Sequence, residues 1–261
     1  MRGGSREKGV LKSGTEELPL VSIITVVRNG KKHIEKTLGS VAEQSYPNIE
    51  YLVIDGNSTD GTQDILKRHE DRIDLWVSEP DGGIYFAMNK GISLARGSLI
   101  GILNADDYYY PDAVKHVVEA DKKVKAGVYH GDLVLLEAKG ERRCTPDINS
   151  MNEKPSIFHP TCFVKKEVYE NIGLFDTRFR ISSDYEFLLR CMRRGIAFQY
   201  IPEALTAFRP GGMSSSCASN IEGYKIMKMH QTGHHRSVIV RGLKCYARQF
   251  LKKILFLKKG A

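Results

Sequence analysis

The chain has 261 residues, of which 41% are hydrophobic, 27% charged and 9% aromatic. Those fractions exclude a wholly disordered or fibrous chain, and the length allows a domain with a sizeable core plus an extension. The 39 Lys and Arg outnumber the 31 Asp and Glu, for a formal charge of +8. This favours anionic partners (nucleotides, sugar phosphates, lipid head groups, nucleic acid) without choosing among them.

Residues 1–19 are rich in Gly, Ser, Lys and Glu, lack periodicity and read as a flexible lead-in. The β-branched run Val21–Val27 then predicts a strand, and apolar Ile34, Leu38 and Val41 predict a helix within Lys31–Gln44. Strands follow at Ile49–Ile54, Ile73–Val77 and Leu99–Leu103, with helices between them at Thr62–His69 and Ile84–Ala95. Nearly continuous apolar strands alternating with helices imply a parallel sheet covered on both faces. Residues 20–110 are therefore expected to form a Rossmann-like, nucleotide-binding half.

Beyond residue 110 the alternation breaks down. Residues 111–215 are expected to form an acceptor half on the same sheet. Its strands fall around Gly131-Asp132 within Val128–Leu136 and at Phe198–Ile201 and Leu205–Phe208, with helices at Lys165–Ile172 and Ser183–Arg194. Residues 216–261 read as a helical basic tail. There Leu243, Ala247, Phe250, Ile254 and Leu257 form one apolar stripe, opposed by Arg241, Lys244, Arg248, Lys252 and Lys259. Such a helix either lies on a membrane surface or packs its stripe on the domain.

The five cysteines, Cys144, Cys162, Cys191, Cys217 and Cys245, form no CxxC pair. They read as reduced thiols of a cytosolic protein and support neither a zinc knuckle nor a disulfide framework. No apolar run reaches the roughly 18 residues of a membrane span, and Leu20–Val27 is too short and too late for a signal-peptide core.

Polar clusters follow each strand: Arg28 and Asn29, then Asp55-Gly-Asn-Ser-Thr-Asp-Gly61, Glu79-Pro-Asp-Gly-Gly83, and Asn104-Ala105-Asp106-Asp107. In such sheets ligands bind at the carboxyl ends of the strands. Helix capping by Thr59 or Asp60 explains one or two of these residues. It does not explain acidic loops after three successive strands. Asp106 and Asp107 alone read as an acidic turn before Pro111, but with Asp55 and Asp60 at the same edge they call for a compensating cation. Mg²⁺ or Mn²⁺ bridging two phosphates would supply one.

Four segments carry a resemblance: Val-Ser-Ile-Ile-Thr-Val-Val-Arg-Asn, Asp-Gly-Asn-Ser-Thr-Asp-Gly-Thr, Glu-Pro-Asp-Gly-Gly-Ile-Tyr-Phe-Ala-Met-Asn-Lys-Gly-Ile and Leu-Asn-Ala-Asp-Asp. In that order and spacing, over residues 20–215, the chain resembles family 2 glycosyltransferases of the GT-A fold. Within them it is most similar to bacterial enzymes that build capsule, exopolysaccharide or O-antigen repeat units. The resemblance implies an α/β fold with a mostly parallel central sheet, an acceptor-side extension and C-terminal helices. It also implies inverting, Mg²⁺- or Mn²⁺-dependent transfer of a hexosyl or N-acetylhexosaminyl group from a UDP-sugar to a glycan or polyprenyl-linked acceptor.

It further implies residue roles. Thr25, Val27 and Arg28 would lie against the uracil and ribose, Asp55 would bond the base, and Asp60 and Asn89 would line the donor site. Asn104-Ala105-Asp106 stands where the family has Asp-x-Asp, so Asp106 is the main expected metal ligand, and the neutral Asn104 gives Asp107 added weight. Phe86 departs from the Asp common at its position and points to an altered sugar preference.

By residue type Asp184 is a helix-start residue, in a first turn that favours a carboxylate. The resemblance makes it the general base, with Glu186 second. His159 and Arg209 would contact phosphate or acceptor, and Arg209–Ser214 would form a mobile loop. The i, i+4 spacing of His230 and His234 beside His235 offers a metal-binding alternative, weakened by the absence of an accompanying carboxylate. The resemblance also tips the tail towards the inner face of the cell membrane. A non-catalytic nucleotide-sugar-binding protein of the same fold is the rival reading. The acidic loops argue against nucleic acid.

Overall fold

The computed structural model describes residues 1–212 and 216–232. Its strands are β1 (Arg2–Gly3), β2 (Val21–Val27), β3 (Ile49–Asp55), β4 (Leu75–Ser78), β5 (Leu99–Asn104), β6 (Tyr108–Tyr109), β7 (Val128–Glu137), β8 (Gly140–Cys144), β9 (Phe163–Lys165) and β10 (Phe198–Phe208). The helices are α1 (Ile34–Ala42), α2 (Thr62–Arg68), α3 (Ile84–Leu94), α4 (Ala113–Lys123), α5 (Lys166–Ile172), α6 (Ser183–Arg193) and α7 (Cys217–Met229). Among the described residues all the strands join one sheet, in the order β1-β4-β3-β2-β5-β9-β7-β10-β6, with β8 paired to β7.

The block β4-β3-β2-β5 is parallel throughout. Every residue of β2 and β3 is buried, as strands covered on both faces require. Alternate side chains enter different cores. Ile24, Val26, Leu52, Ile54, Ile100 and Ile102 pack on one side, while Ile23, Val27, Tyr51, Val53, Leu99 and Leu103 pack on the other. Helix α1 turns Ile34, Leu38 and Val41 onto that second face.

The second half adds β7 and β10 in parallel, with β9 inserted antiparallel between β5 and β7. Gly101 of β5 is required here, because a Cβ on it would lie 2.7 Å from the Phe163 ring and 2.9 Å from the Tyr109 hydroxyl oxygen. Two pairs of expected short strands are in fact single long ones. β7 runs unbroken through Gly131-Asp132, and β10 crosses Pro202 by register shifts against β7.

The lead-in differs from expectation. Residues 2–3 pair with β4, a 3-10 turn follows at Ser5–Lys8, and Arg6 bonds Glu50 at 3.2 Å while Lys12 reaches Asp74 at 2.8 Å. Glu50 and Asp74 are buried, and buried carboxylates need such cations. Residues 10–18 are exposed and lack regular structure. The stripe from Leu243 and its facing cations, together with His234, His235 and Met213–Ser215 of the expected loop, lies outside the described residues. Among the described residues no helix is long and apolar enough to cross a membrane, and Cys144, Cys162 and Cys191 are free thiols.

Candidate active site

The sheet changes direction of winding at β2, with β3 on one side and β5 on the other. Register places Val27 opposite Asp55, Asp55 opposite Ser78, and Val26 opposite Asn104. The carboxyl-terminal loops of four strands therefore open on one edge at the switch point, where a ligand crevice forms in such sheets.

Two of these loops are stitched together. The Asn29 N–H donates to Ser58 Oγ at 2.7 Å, the Gly30 N–H to Thr62 Oγ1 at 3.0 Å, the Lys31 N–H to Asp60 Oδ2 at 3.0 Å, and the Thr59 N–H to Asn29 Oδ1 at 2.9 Å. Asn29 and Asn57 take left-handed φ values of 54° and 59°, which asparagine tolerates. Burial acts to raise the Asp60 carboxyl, but donation by the Thr62 side chain and by the backbone of Lys31 and Thr62 outweighs it and holds the group below its ordinary value.

The turn after β5 is held from beneath. Thr37 Oγ1 lies 2.9 Å from the Ala105 carbonyl and 2.8 Å from that of Asp107. Asp107 is buried and accepts from the Arg209 N–H at 2.9 Å and from Asn104 Nδ2 at 3.3 Å. Burial first, and the neighbouring Asp106 charge second, push its carboxyl up to about 7. Two buried atoms around it lack hydrogen-bond partners among the described residues: Asn104 Oδ1, an acceptor, and Arg209 Nε, a donor. His33, ahead of α1, is held below its usual value by its partial burial and then by Arg209 and Lys32, with Asp106 opposing. Asp106, Arg209 and His33 thus share one electrostatic neighbourhood.

Helix α6 presents Asp184 in its first turn, half-buried. Its Oδ1 lies 2.9 Å from the hydroxyl of Tyr85, from the first turn of α3. Burial, and then the Asp184 charge, raise the Tyr85 phenol well above its normal value, so it stays a protonated donor. A cavity of about 220 Å³ opens beside Asp184, lined in part by Lys154, Ile181, Asn220 and Met227.

Residues 22–173, more than half of the chain, match the model of Glycosyl transferase family 2. The chain belongs to that family. Its relatives include a PGL/p-HBAD biosynthesis glycosyltransferase of Mycobacterium bovis, 26% identical, with 85% of this chain and 89% of the relative covered. An uncharacterized glycosyltransferase of Mycobacterium tuberculosis is 36% identical, covering 66% and 68%. Among solved structures, TarS of S. aureus in complex with UDP-GlcNAc superposes with a TM-score of 0.67 at 20% identity, covering 80% of this chain and 65% of that one. A Pyrobaculum calidifontis mannosyltransferase in complex with GDP-Man and Mn²⁺ gives 0.63 at 20%, covering 91% and 69%. The fold is GT-A.

Several of the expected site residues of this glycosyltransferase make contacts within the protein. Thr25 is fully buried, with its hydroxyl 2.9 Å from that of Tyr51, so it lies within the sheet layer rather than at the open edge. Asp55 is also fully buried. It accepts from Ser78 Oγ at 2.6 Å and from the N–H and hydroxyl of Ser58, so it shapes its own loop. The Asn89 amide clamps the Phe175 backbone, donating to its carbonyl at 2.9 Å and accepting from its N–H at 3.0 Å. His159 is buried edge-on against the Phe175 ring, 5.5 Å between centroids, and burial lowers its pKa.

Glu186 is buried, ion-paired with Arg190 at 2.9 Å within α6 and in contact with His230 Nε2 at 3.1 Å, which ties α6 to the end of α7. Of the expected metal pair, Asp107 braces the turn and Arg209, leaving Asp106 half-buried at the edge with Asn104 and Ala105. Val27 is buried and Arg28 exposed.

Asp81 was missed. A Cβ on Gly56 would lie 2.7 Å from Asp81 Oδ2 and 3.4 Å from Arg28 Cδ, which puts this half-buried carboxylate at the mouth with Arg28. Its signal was the acidic Pro-Asp-Gly-Gly loop itself. Phe86 is 48% exposed, its ring resting against Gly82.

Proposed function

We propose that this chain is an inverting, metal-dependent glycosyltransferase. It moves a hexosyl or N-acetylhexosaminyl group from a UDP-sugar to a hydroxyl of a glycan or polyprenyl-linked acceptor in cell-surface polysaccharide synthesis. It would work in the cytoplasm at the inner face of the cell membrane. The observation that carries the catalytic part is the Tyr85–Asp184 contact at 2.9 Å, which brings a carboxylate from the second half to the loops at the carboxyl edge of the first.

The donor side suits a cation and a diphosphate. Among the described residues no three His, Cys, Asp or Glu side chains gather as a metal cluster. A divalent ion on nucleotide phosphates needs only one or two protein carboxylates. Among the described residues no side chain claims the Asp106 carboxylate at the edge and the buried acceptor Asn104 Oδ1 has no donor, so these two would hold it. Such an ion supplies charge stabilisation to a departing diphosphate. Arg209, whose Nε is unpartnered among the described residues, would donate to phosphate oxygen. Arg28 and Asp81 would meet the nucleoside.

Tyr85 occupies Asp184 Oδ1, which leaves Oδ2 to accept the acceptor hydroxyl proton. The acceptor oxygen then bonds the anomeric carbon as the bond to the diphosphate oxygen breaks, and the electron pair leaves with the nucleotide.

Calorimetric titration with UDP, GDP and dTDP, each with and without Mn²⁺, tests the donor half. Tight, Mn²⁺-dependent binding of one nucleotide is expected, weakened by about tenfold or more in Asp106→Ala. Binding of none by folded protein would overturn the reading. Asp184→Asn should bind that nucleotide normally and transfer no sugar. The rival non-catalytic reading, favoured by Asn104 and Phe86, requires instead that the wild-type chain bind nucleotide and transfer nothing.

A further inference from the structure

Glu222 lies on α7, outside the stretch matched by the family model, and is half-buried. Its two oxygens accept three consecutive backbone N–H groups: Arg180 at 2.8 Å on Oε1, and Ile181 at 2.8 Å and Ser182 at 2.9 Å on Oε2. These N–H groups immediately precede α6, and Ser182 is its N-cap. A helix start leaves several N–H groups without intrahelical partners, and here one carboxylate on another helix gathers those just ahead of the first turn. Bonds from N–H to an ionised acceptor are among the stronger hydrogen bonds in proteins.

The same short segment is gripped from the other side. The Tyr85 hydroxyl lies 2.7 Å from the Ile181 carbonyl and 2.9 Å from Asp184 Oδ1. Residues 180–184 are thus held between α3 and α7, with the N–H groups facing Glu222 and both the Ile181 carbonyl and the Asp184 carboxylate facing Tyr85. The brace between Glu186 and His230 fixes the far end of α7 to α6 by a separate contact.

We propose that Glu222 is a positioning residue, which sets the backbone of 180–182 so that Asp184 meets Tyr85 and the acceptor hydroxyl in one geometry. This rests on the assignment of Asp184 as general base. An error of about 1 Å in placing a reacting group can lower the rate by about a hundredfold, so loosening this segment should act on turnover and not on nucleotide binding.

The test compares full-length wild type with Glu222→Ala, Glu222→Asp and Asp184→Asn. Amide hydrogen exchange over residues 178–184 reads the backbone, calorimetry with UDP or GDP and Mn²⁺ reads the donor site, and transfer kinetics use the sugar conjugate of whichever nucleotide binds. Glu222→Ala is expected to accelerate exchange at 180–182 while the amides of the parallel sheet stay protected. It should lower kcat about tenfold or more, with the nucleotide Kd and donor KM unchanged. Glu222→Asp, which keeps the charge on a shorter arm, should recover part of both effects.

Faster exchange with kcat unchanged would reduce Glu222 to a structural tie and overturn the proposal, as would unchanged exchange. A global rise in exchange in Glu222→Ala shifts the decision to Glu222→Asp, where kcat and local exchange must still move together. Wild-type protein that binds no nucleotide, or Asp184→Asn that transfers sugar normally, would overturn the base assignment and this role with it.

Discussion

A polar side chain expected to line a site can face the ligand or hold the protein's own backbone, and Asn89 on α3 shows how the choice is made. Its amide meets both backbone groups of Phe175, so α3 is fastened to the segment that leads into α6. Asn89→Ala removes both bonds and leaves the Phe175 groups to find other partners, at about 1–3 kcal/mol. Urea unfolding should show a lower midpoint at unchanged slope, and nucleotide affinity should not change. An altered affinity with intact stability would return Asn89 to the donor site. Asp106 has the opposite character, since no other side chain claims its carboxylate at hydrogen-bonding distance among the described residues.

The edge strand β1 and the turn that follows are stabilised by charges that a polar, aperiodic sequence does not advertise. Arg6 bonds both Glu50 and the Leu94 carbonyl, and Glu50 is 1% exposed. Arg6→Ala leaves a buried carboxylate without its cation, although Ser22 and the Arg96 N–H still donate to it. The expected loss is about 2 kcal/mol, read as a fall in the denaturation midpoint. An unchanged midpoint would make the lead-in dispensable. In β5, Gly101→Val would force a side chain into Phe163 and Tyr109, and overpacking of this kind typically costs about 1–3 kcal/mol or more. Thermal unfolding of that variant checks the close approach of β5 and β9.

Across the whole molecule, the parallel pair β7 and β10 buries a histidine that stability must accommodate. His130 lies between the Phe198 and Tyr200 rings, at centroid distances of 6.2 and 5.7 Å. Burial depresses its pKa from 6.5 to about 4, with Asp132 opposing. Above the unfolded value both states carry neutral imidazole, and stability is unaffected. As pH falls below about 6.5 the unfolded chain takes up a proton that the folded chain refuses until about pH 4. Stability should therefore decline over that window, by on the order of 2–3 kcal/mol at its lower end. His130→Phe should flatten that part of the pH–stability curve. An unchanged curve would mean that His130 does not carry the effect.

The sequence by itself determined the alternation of strands and helices in the first half, the two-sided burial of β2 and β3, and the gathering of polar loops at one edge. Residue type and spacing suffice there, because burial periodicity and connection direction are local properties. By residue type alone Asp184 reads as a helix start and Asp106 as part of an acidic turn, and only the resemblance to the family gives them their expected roles. The tertiary structure alone decided which polar groups remain free. Asp55 is engaged by Ser58 and by Ser78, Asn89 by Phe175, Glu186 by His230, and residues 180–182 by Glu222. Most of those partners are far away in the chain, so no local pattern encodes them. The antiparallel β9 and the single long β7 and β10 were hidden for the same reason, since strand pairing rewards contacts between distant segments. A carboxylate has a fixed number of lone pairs, and only the folded neighbourhood shows whether protein or ligand will fill them.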